Sequence, residues 1–201
     1  MDGPKKPDRY YAVILDQASW GGHLLDSLDP TVVRHLFISR GHNFFGHHGQ
    51  PAGTNPVMES SEVECIAGKG IRGDRFFEYQ QDYKGQITFF SIEVLRAVCA
   101  TLSIPAPSPG VVRRNVIVEG VSLNQLIGKR FELQGVLFEG ICECKPCYWM
   151  DRAIAPGAEQ LLHGRGGLRA KILTDGILRV ESGLTSARRH SKEKPASSIR
   201  E

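Results

Sequence analysis

The stretch FELQGVLFEGI at positions 131–141 is rich in branched and aromatic side chains, and it leads directly into a cluster of cysteines. Such a composition predicts strand. Similar short runs recur along the chain between glycines and prolines, at positions 35–39, 63–67, 86–90, 111–118, 168–173 and 176–180. Their spacing predicts a mainly β fold that forms a barrel or a sandwich. The pair Asp175-Gly176 between the last two runs further predicts an antiparallel hairpin.

Helical patterns are fewer. Ser91 is a suitable N-cap for a helix over 92–102, in which apolar residues recur at helical spacing. A second helix is predicted over 150–163, and a short turn over 121–127. The predicted fold class is therefore mainly β with a few short helices.

Length and composition predict one compact domain, because 201 residues with 41% hydrophobic content can bury a sizeable core. The two ends are polar or charged and contain few large apolar residues, so they are expected to be mobile. We therefore predict a partly mobile N-terminal extension at 1–34, a β-rich domain at 35–185 and a charged, mobile C-terminal tail at 186–201.

Charge and cysteine content restrict the class of protein. The 25 Lys and Arg residues nearly balance the 22 Asp and Glu residues, and a net charge of +3 is too small to indicate a nucleic-acid binder. The cysteines number five, which is odd, and no secretory signal pattern is present, so a disulfide framework is not expected. No apolar stretch approaches the roughly 20 residues that span a bilayer. We expect a cytoplasmic protein with reduced thiols and no membrane segment.

Three of the cysteines, Cys142, Cys144 and Cys147, follow the run at 131–141 closely. Thiolates are nucleophiles, sulfur carriers and soft-metal ligands, and the positive charge of Lys145 favours deprotonation of the neighbouring thiols. Pro146 fixes the backbone in front of Cys147 and removes a hydrogen-bond donor, which predicts a defined loop that presents this thiol. Cys147 is therefore the predicted working residue.

The spacing of Cys144 and Cys147 leaves two further roles open. Cys-x-x-Cys is the spacing of redox dithiols, in which Cys144 would resolve a persulfide or a sulfenate on Cys147. It is also half of a zinc site, in which His163 would be the nearest candidate for a fourth ligand. The remaining thiols are predicted to be small buried side chains, namely Cys65, Cys99 and Cys142.

Five motifs resemble, in order, the signatures of one family. They are GKGIRGDR at 68–75, QIT at 86–88, RRNV at 113–116, CKPC at 144–147 and GRGGLRA at 164–170. Over residues 35–183 the series resembles the MOSC domain, which is named from the C-terminal part of molybdenum cofactor sulfurase. The resemblance implies a β-rich, barrel-like fold with a cysteine that carries sulfur or ligates molybdenum, and by position that cysteine is Cys147. Family members commonly end the last strand with Gly-Asp, whereas this chain has RVESG at 179–183. The resemblance therefore does not define the residue at which that strand ends.

The basic motifs fit the phosphate of the molybdenum cofactor, a pyranopterin, because guanidinium groups and amides bind phosphate. The family's Arg-x-Asn pattern matches Arg113-Arg114-Asn115. On a strand, Arg113 and Asn115 would face one side and Arg114 the other. Arg113 and Asn115 are therefore the predicted cofactor pair, and Arg114 is the weaker candidate.

Other residues of these motifs are further candidates. The glycines around Arg165 and Arg169 suit either an anion-binding nest or a tight turn. Two residues of the QIT motif would face the same side of a strand and could enter a cavity. The remaining cofactor-binding candidates are thus Arg72, Gln86, Thr88, Arg165 and Arg169. No role is predicted for the histidines of the glycine-rich loop, His42, His47 and His48.

The resemblance implies two mechanisms. If Cys147 ligates molybdenum, the protein resembles the mitochondrial amidoxime-reducing component and reduces N-hydroxylated or N-oxide small molecules with electrons from a partner protein, because it has no flavin or iron–sulfur motif of its own. If Cys147 carries a persulfide, a separate cysteine desulfurase would supply the sulfur, because no pyridoxal-phosphate domain is evident. The resemblance implies that the family's links to pyridoxal phosphate come from members in which the MOSC domain is fused to a cysteine desulfurase. A non-catalytic cofactor-binding or storage protein and a cysteine-cluster zinc protein are the alternatives.

Overall fold

The computed structural model describes residues 26–27, 31–43 and 51–181. The tail expected at 186–201, most of the extension expected at 1–34, and both His47 and His48 lie outside the described residues. The strand at Val32–Ile38 begins ahead of the domain boundary expected at His35.

The described residues form eleven strands and three short α-helices. The strands are β1 (Asp26–Ser27), β2 (Val32–Ile38), β3 (Met58–Ser60), β4 (Glu62–Ile66), β5 (Gly70–Ile71), β6 (Ile87–Ser91), β7 (Val116–Glu119), β8 (Arg130–Leu133), β9 (Val136–Glu143), β10 (Leu168–Ile172) and β11 (Gly176–Arg179). The helices are α1 (Ile92–Thr101), α2 (Trp149–Ala153) and α3 (Ala158–Leu162), and 3-10 turns lie at Pro109–Val112 and Leu123–Leu126. The mainly β fold class is confirmed. None of the described helices has the length and apolar character needed to cross a membrane.

Eight of the strands form one mixed sheet in the order β1-β8-β9-β10-β6-β7-β2-β3. The pairs β1–β8 and β6–β7 are parallel, and the others are antiparallel. The connection from β6 to β7 contains α1, as expected for a crossover between parallel strands. A second, antiparallel sheet has the order β11-β4-β5. Within the described ranges neither sheet closes on itself, so the expected barrel is not confirmed.

The large sheet buries a separate hydrophobic core on each face, because successive side chains of a strand point to opposite faces. Phe89 of β6 belongs to the first core, together with residues of the small sheet such as Val63 and Leu178. Phe90, the next residue, belongs to the second core, which also contains Trp149 and buried residues of all three helices. The small sheet and the helices therefore cover opposite faces of the large sheet.

The hairpin expected at Asp175-Gly176 is wrong. β10 pairs with β9 and β6 in the large sheet, whereas β11 pairs with β4 in the small sheet. Asp175 Oδ1 accepts a hydrogen bond of 2.7 Å from the backbone N–H of Ala67. Gly176 is also outside the left-handed region that a two-residue hairpin turn would favour. This connection therefore carries the chain from one sheet to the other.

The run at 131–141 belongs to two strands rather than one. β8 and β9 pair antiparallel, and Gln134 and Gly135 between them have φ values of 52° and 80°. Two consecutive left-handed residues are what a type I′ hairpin turn requires. The sequence Gln-Gly is a weaker signal for this turn than Asn-Gly, so the turn was not predicted and 131–141 was interpreted as one run.

The strand expected at 111–118 is wrong in its first half. Pro109–Val112 forms a 3-10 turn, and Arg113 ends that turn in the left-handed conformation, with φ 53° and ψ 39°. β7 begins only at Val116. The alternation of sides expected for the three residues 113–115 therefore does not apply.

The helix predictions are confirmed in part. The Oγ of Ser91 accepts a hydrogen bond of 3.2 Å from the backbone N–H of Val94, so the predicted N-cap of α1 is present. The single helix expected over 150–163 is divided into α2 and α3, and Gly157 has a left-handed φ of 91° at the division. The turn expected over 121–127 is present as the 3-10 turn Leu123–Leu126.

Candidate functional site

A cavity of about 200 Å³ lies beside the second core. Its apolar wall includes Val112, Trp149 and Met150, which are also members of that core. Its polar lining contains five cationic side chains, Arg75, Arg113, Arg114, Lys145 and Arg169, and two thiols, Cys144 and Cys147. No Asp or Glu occurs among the described residues that line it. The cavity therefore combines positive charge, sulfur and an apolar surface.

One row of residues across the large sheet forms the base of this site. Arg169 of β10 is paired with Cys142 of β9 on one side and with Thr88 of β6 on the other. The row continues through Asn115, whose backbone N–H donates a 3.0 Å hydrogen bond to Thr88 Oγ1 and whose carbonyl accepts one of 2.7 Å from Phe37. Arg169 and Thr88 line the cavity, and Asn115 lies behind them.

The side-chain amide of Asn115 is buried and uses both of its ends. Its Oδ1 accepts hydrogen bonds from the N–H and the Oγ1 of Thr88, at 3.1 and 2.8 Å. Its Nδ2 donates to the carbonyl of Phe37 and to the carboxylate of Asp74, both at 3.2 Å. Asn115 therefore fixes the residues around the cavity, and it is not itself part of the lining.

Asp74 connects this network to Arg75. Only 2% of its side chain is exposed, and its carboxylate accepts hydrogen bonds from the backbone N–H of Ser39 at 3.0 Å and of Phe76 at 3.1 Å. Its Oδ2 also lies 3.5 Å from Nη1 of Arg75. Arg75 in turn lies over the ring of Phe76, with its guanidinium carbon 4.9 Å from the ring centre. These contacts hold the Arg75 guanidinium at the cavity wall.

Arg113 is directed towards the loop that follows β2. Its Nη2 donates hydrogen bonds to Ser39 Oγ at 3.1 Å and to the carbonyl of Gly41 at 3.0 Å. Burial and the positive charge of Arg75 lower the pKa of Arg113 to about 10. Burial is also the main cause that lowers the pKa of Arg75. Two partly buried cations are thus held close together, which favours an anionic ligand between them.

Arg114 joins two segments of the cavity wall. Its guanidinium donates hydrogen bonds to the carbonyls of Val112 at 2.8 Å, Cys144 at 3.2 Å and Gly166 at 3.3 Å. The expectation that Arg114 is the weaker candidate rested on a strand geometry that is not present. The residue is half-buried and lines the cavity.

The cysteine loop, residues 144–147, is held through its backbone. The N–H of Cys144 donates a 2.7 Å hydrogen bond to the carbonyl of Gly167, and the carbonyl of Cys147 accepts one of 2.8 Å from Met150. A Cβ at Gly166 would lie 2.5 Å from the carbonyl oxygen of Cys144, so only glycine fits against this loop. Cys144 is buried with 4% exposure, whereas Cys147 is exposed.

Several predicted site residues are not brought to the cavity. Arg72 is exposed and paired with Glu64. Gln86 is buried and joins the carbonyl of Gly68 to the N–H of Ile172, at 3.1 and 2.9 Å. The exposed Arg165 donates to the carbonyl of Leu161 at 2.7 Å. The predicted residues that do line the cavity are Thr88, Arg113, Arg114, Cys147 and Arg169.

Sequence reasoning missed three ionisable residues of the lining. Arg75 belongs to the GKGIRGDR motif but was not among the predicted site residues, although its position directly after Asp74 was a usable signal. Lys145 was considered only for its charge. His42 had no predicted role, and it lines the cavity with a pKa lowered by burial and by the charge of Arg75.

The zinc alternative lacks a ligand set in the structure. Over residues 26–27, 31–43 and 51–181, no group of three or more His, Cys, Asp or Glu side chains is arranged to hold a metal ion. Cys142 belongs to β9 and does not line the cavity that contains Cys144 and Cys147. The three cysteines therefore do not form the tetrahedral cluster that structural zinc requires.

Comparison with known proteins identifies the class. The sequence model of the MOSC domain matches residues 46–184, so the chain belongs to the MOSC domain family. This family is associated with molybdenum cofactor binding or with sulfur chemistry. No curated protein sequence matches the chain.

Solved structures agree with this fold. YuaD from Bacillus subtilis superposes with a TM-score of 0.57 at 19% identity, over 75% of this chain and 92% of that one. YiiM from Geobacillus stearothermophilus superposes with a TM-score of 0.54 at 11% identity, over 75% and 71% of the two chains. YiiM from Escherichia coli gives 0.50 at 14% identity, over 75% and 64%. At these identities the similarity extends to the fold alone.

Proposed function

We propose that this MOSC-domain protein binds molybdenum cofactor in the cavity and that Cys147 provides the protein thiolate to the metal. The observation that carries this proposal is the lining, in which five cations and two thiols occur with no described carboxylate. A phosphorylated pterin is an anion, and guanidinium groups bind phosphate in a bidentate manner. Molybdenum is a soft enough partner for a thiolate.

Different residues of the cavity would bind different parts of the cofactor. Arg113 and Arg75 are close neighbours whose pKa values are lowered chiefly by burial, so a phosphate between them would relieve the repulsion of the two charges. The apolar wall at Val112 and Trp149 suits a flat ring system. The exposed Cys147 is free of the buried network that fixes Asn115. When bound, the cofactor would supply metal-centred two-electron redox chemistry.

The proposed reaction is reduction of an N-hydroxylated or N-oxide small molecule in the cytoplasm. Electrons would come from a partner protein, because the sequence offers no flavin or iron–sulfur motif. The cavity is partly open, so a small substrate would reach a cofactor bound in it from the solvent side.

A second candidate function is sulfur carriage, and the exposure of Cys147 favours it. A persulfide is loaded by direct contact with a donor such as a cysteine desulfurase, so the receiving thiol must be reachable from outside. Cys147 meets this requirement and Cys144, with 4% exposure, does not. Both candidates use the same sulfur atom for different chemistry.

Metal content separates the two candidates. The protein would be produced in a host that makes molybdenum cofactor, as wild type, Cys147→Ser and Cys142→Ser, and molybdenum and zinc per chain would be measured. Cys142 is a matched control because it is a half-buried cysteine of β9 that does not line the cavity. Near-stoichiometric molybdenum that is lost only in Cys147→Ser supports the ligand function. Molybdenum that is absent from all three proteins contradicts it, and zinc in its place would contradict both candidates.

Activity then separates an enzyme from a storage protein. Molybdenum-loaded wild-type protein would be reduced with an artificial electron donor and mixed with amidoxime and N-oxide substrates. Turnover that is lost in Cys147→Ser supports the reductase. Stoichiometric cofactor without turnover of any of these substrates contradicts it and supports a non-catalytic binding protein.

A further inference from the structure

We infer that Cys144 is a second reacting thiol, which attacks a persulfide on Cys147 and releases its outer sulfur into the cavity as sulfide. This inference rests on the sulfur-carrying candidate of the proposed function. Its starting observation is that two cysteines line one cavity but differ in access. Cys147 is exposed to a protein donor, whereas Cys144 is buried with 4% exposure and lines the cavity. The two positions suit a thiol that is loaded and a thiol that unloads it.

The backbone of Cys144 is fixed from two sides. Its N–H donates to the carbonyl of Gly167 at 2.7 Å, and its carbonyl accepts from Nη2 of Arg114 at 3.2 Å. Gly166 packs directly against the loop, since a Cβ there would lie 2.8 Å from Cδ of Pro146. Cys144 therefore lines the cavity on a backbone that cannot easily move, and only two residues separate it from Cys147.

The charges around Cys144 favour the release of an anion. Arg75 and Arg169 both lie near enough to Cys144 to interact with its sulfur electrostatically. Both guanidinium groups are partly buried, so their charges are less screened than those of surface arginines. The leaving group is the hydrosulfide anion, and these cations would stabilise it as it leaves Cys147. The same cations would hold the sulfide near an acceptor bound in the cavity.

The step is balanced without an external oxidant. The sulfur of Cys144 attacks Sγ of Cys147, the Cys144–Cys147 disulfide bond forms, and the bond between Sγ and the outer sulfur breaks. The thiol of Cys144 gives its proton to the solvent as it attacks, and the outer sulfur leaves with its own hydrogen as the hydrosulfide anion. In this step the outer sulfur is reduced and Cys144 is oxidised, whereas Cys147 was already oxidised when the persulfide formed. A dithiol reductant must then reopen the disulfide before the next cycle.

The other described cysteines are poor candidates for this attack. Cys65 has no exposure, and burial raises its pKa to about 12. Cys99 is buried on α1 in the second core. Cys142 is on β9 and outside the cavity lining. Cys144 is the buried thiol that shares a cavity with Cys147.

The experiment uses reduced, oxygen-free full-length protein and a cysteine desulfurase with limiting cysteine as the sulfur source. Wild type, Cys144→Ser and Cys142→Ser would be followed by intact mass and by sulfide released. We expect wild type and Cys142→Ser to end about 2 Da lighter than the reduced protein, with about one sulfide per chain. We expect Cys144→Ser to end about 32 Da heavier, with the persulfide on Cys147 and with sulfide release at least about tenfold slower.

Two outcomes would count against different claims. A persulfide that persists in wild type as long as in Cys144→Ser, or one that moves to Cys144 without release of sulfide, overturns the role of Cys144. No uptake of sulfur by Cys147 in any variant overturns sulfur carriage itself, and the proposed step with it, but leaves molybdenum ligation to be decided by metal content. A limiting aromatic disulfide reagent provides the folding check, because Cys147 of Cys144→Ser should still react at the wild-type rate. In wild type that reagent should release a second equivalent of thiolate as Cys144 displaces the first adduct.

Discussion

The segments 113–115 and 144–147 face the same cavity, but the contacts that hold them are of opposite kinds. In the first, side chains make most of the hydrogen bonds: that of Arg113 with Ser39 and Gly41, and that of Asn115 with Thr88 and Asp74. In the second, the described hydrogen bonds are made by the backbone, at the N–H and carbonyl of Cys144 and the carbonyl of Cys147. Fixed side chains hold charge in place, whereas a fixed backbone with available side chains presents reactive sulfur.

Arg114 is where the two segments meet. It belongs to the first segment by sequence, and its Nη2 donates to the carbonyl of Cys144 in the second. The difference between the two segments therefore predicts two kinds of effect. Substitutions within 113–115 should act mainly on stability, and substitutions of residues that pack against the backbone of 144–147 should act mainly on the chemistry of the thiols.

The largest effect is expected for Asn115→Ala. Its amide has four buried contacts, two with Thr88 and one each with Phe37 and Asp74. Leaving these groups unpartnered should lower the free energy of unfolding by about 4 kcal/mol, since each buried unsatisfied group costs about 1–3 kcal/mol. Urea unfolding measures this. The exposed Gln125→Ala is the control and should change stability by less than about 0.5 kcal/mol. A loss below about 1 kcal/mol for Asn115→Ala would show that the network does not hold the first segment.

A smaller loss of stability with a larger chemical effect is expected for Gly166→Ala. The new Cβ would lie 2.5 Å from the carbonyl oxygen of Cys144, and relief of this clash must shift the cysteine loop. We expect about 2 kcal/mol of destabilisation and an altered rate of Cys147 modification by a thiol reagent. Gly164→Ala is the matched control, because that position has a left-handed φ of 75° but open space around it. It should cost about 1 kcal/mol and leave the Cys147 rate unchanged. Equal Cys147 rates in the two variants would contradict the packing argument.

Arg114→Lys tests the link between the two segments. Lysine keeps the charge but cannot reproduce a guanidinium that donates to three carbonyls. We expect a loss of about 1 kcal/mol in the free energy of unfolding, measured with urea. The three hydrogen bonds of the guanidinium are charge-assisted, and the more mobile lysine ammonium would not replace them all. Arg72→Lys changes an exposed arginine paired with Glu64 and serves as the control. If both variants lose the same amount, Arg114 is not a structural link.

The smallest effect is expected from pH at His42. Burial, and then the charge of Arg75, lower its pKa below the ordinary value of 6.5, while Asp74 opposes the shift and Arg113 adds to it. The unfolded chain therefore binds a proton at higher pH than the folded protein, so this contribution to stability is present above about pH 6.5 and is lost as the pH falls through the lowered pKa. Melting temperatures at about pH 7.5 and pH 5.5 should fall less in His42→Gln than in wild type. The exposed His163→Gln is the control and should behave as wild type. If the melting temperature falls as much in His42→Gln as in wild type, His42 does not contribute to the pH dependence of stability.

The sequence predicted the parts of the fold that depend on local pattern. Alternation and β-branched residues located most of the strands, and the Ser91 cap with its periodic apolar residues located α1. The connection at Asp175-Gly176 was wrong because its geometry is set by a distant contact, that of Asp175 with Ala67. Arg113 was placed on a strand because nothing local signals a left-handed arginine. The domain boundaries at 35 and 185 stay predictions.

The site was predictable to a similar extent and for the same reason. The motifs contained most of the residues that the cavity brings together, including Cys147, Arg113 and Arg169. What they lacked was the direction of each side chain, which follows from strand register and loop conformation. Motif membership alone therefore could not separate Arg75, at the cavity wall, from Arg72, paired with Glu64 on the surface.

The row that joins Arg169, Thr88 and Asn115 has a consequence for the lengths of chain that this protein can tolerate. A shift of one residue in β6 would turn Thr88 towards the first core and bring an apolar neighbour into the cavity wall. A single insertion or deletion within β6 or β10 would therefore dismantle the site even if every residue type were retained. The exposed connection at 105–106, outside every strand and helix, should accept added residues. Among natural variants of this chain, differences in length should collect in such connections and be absent from the strands that carry the row.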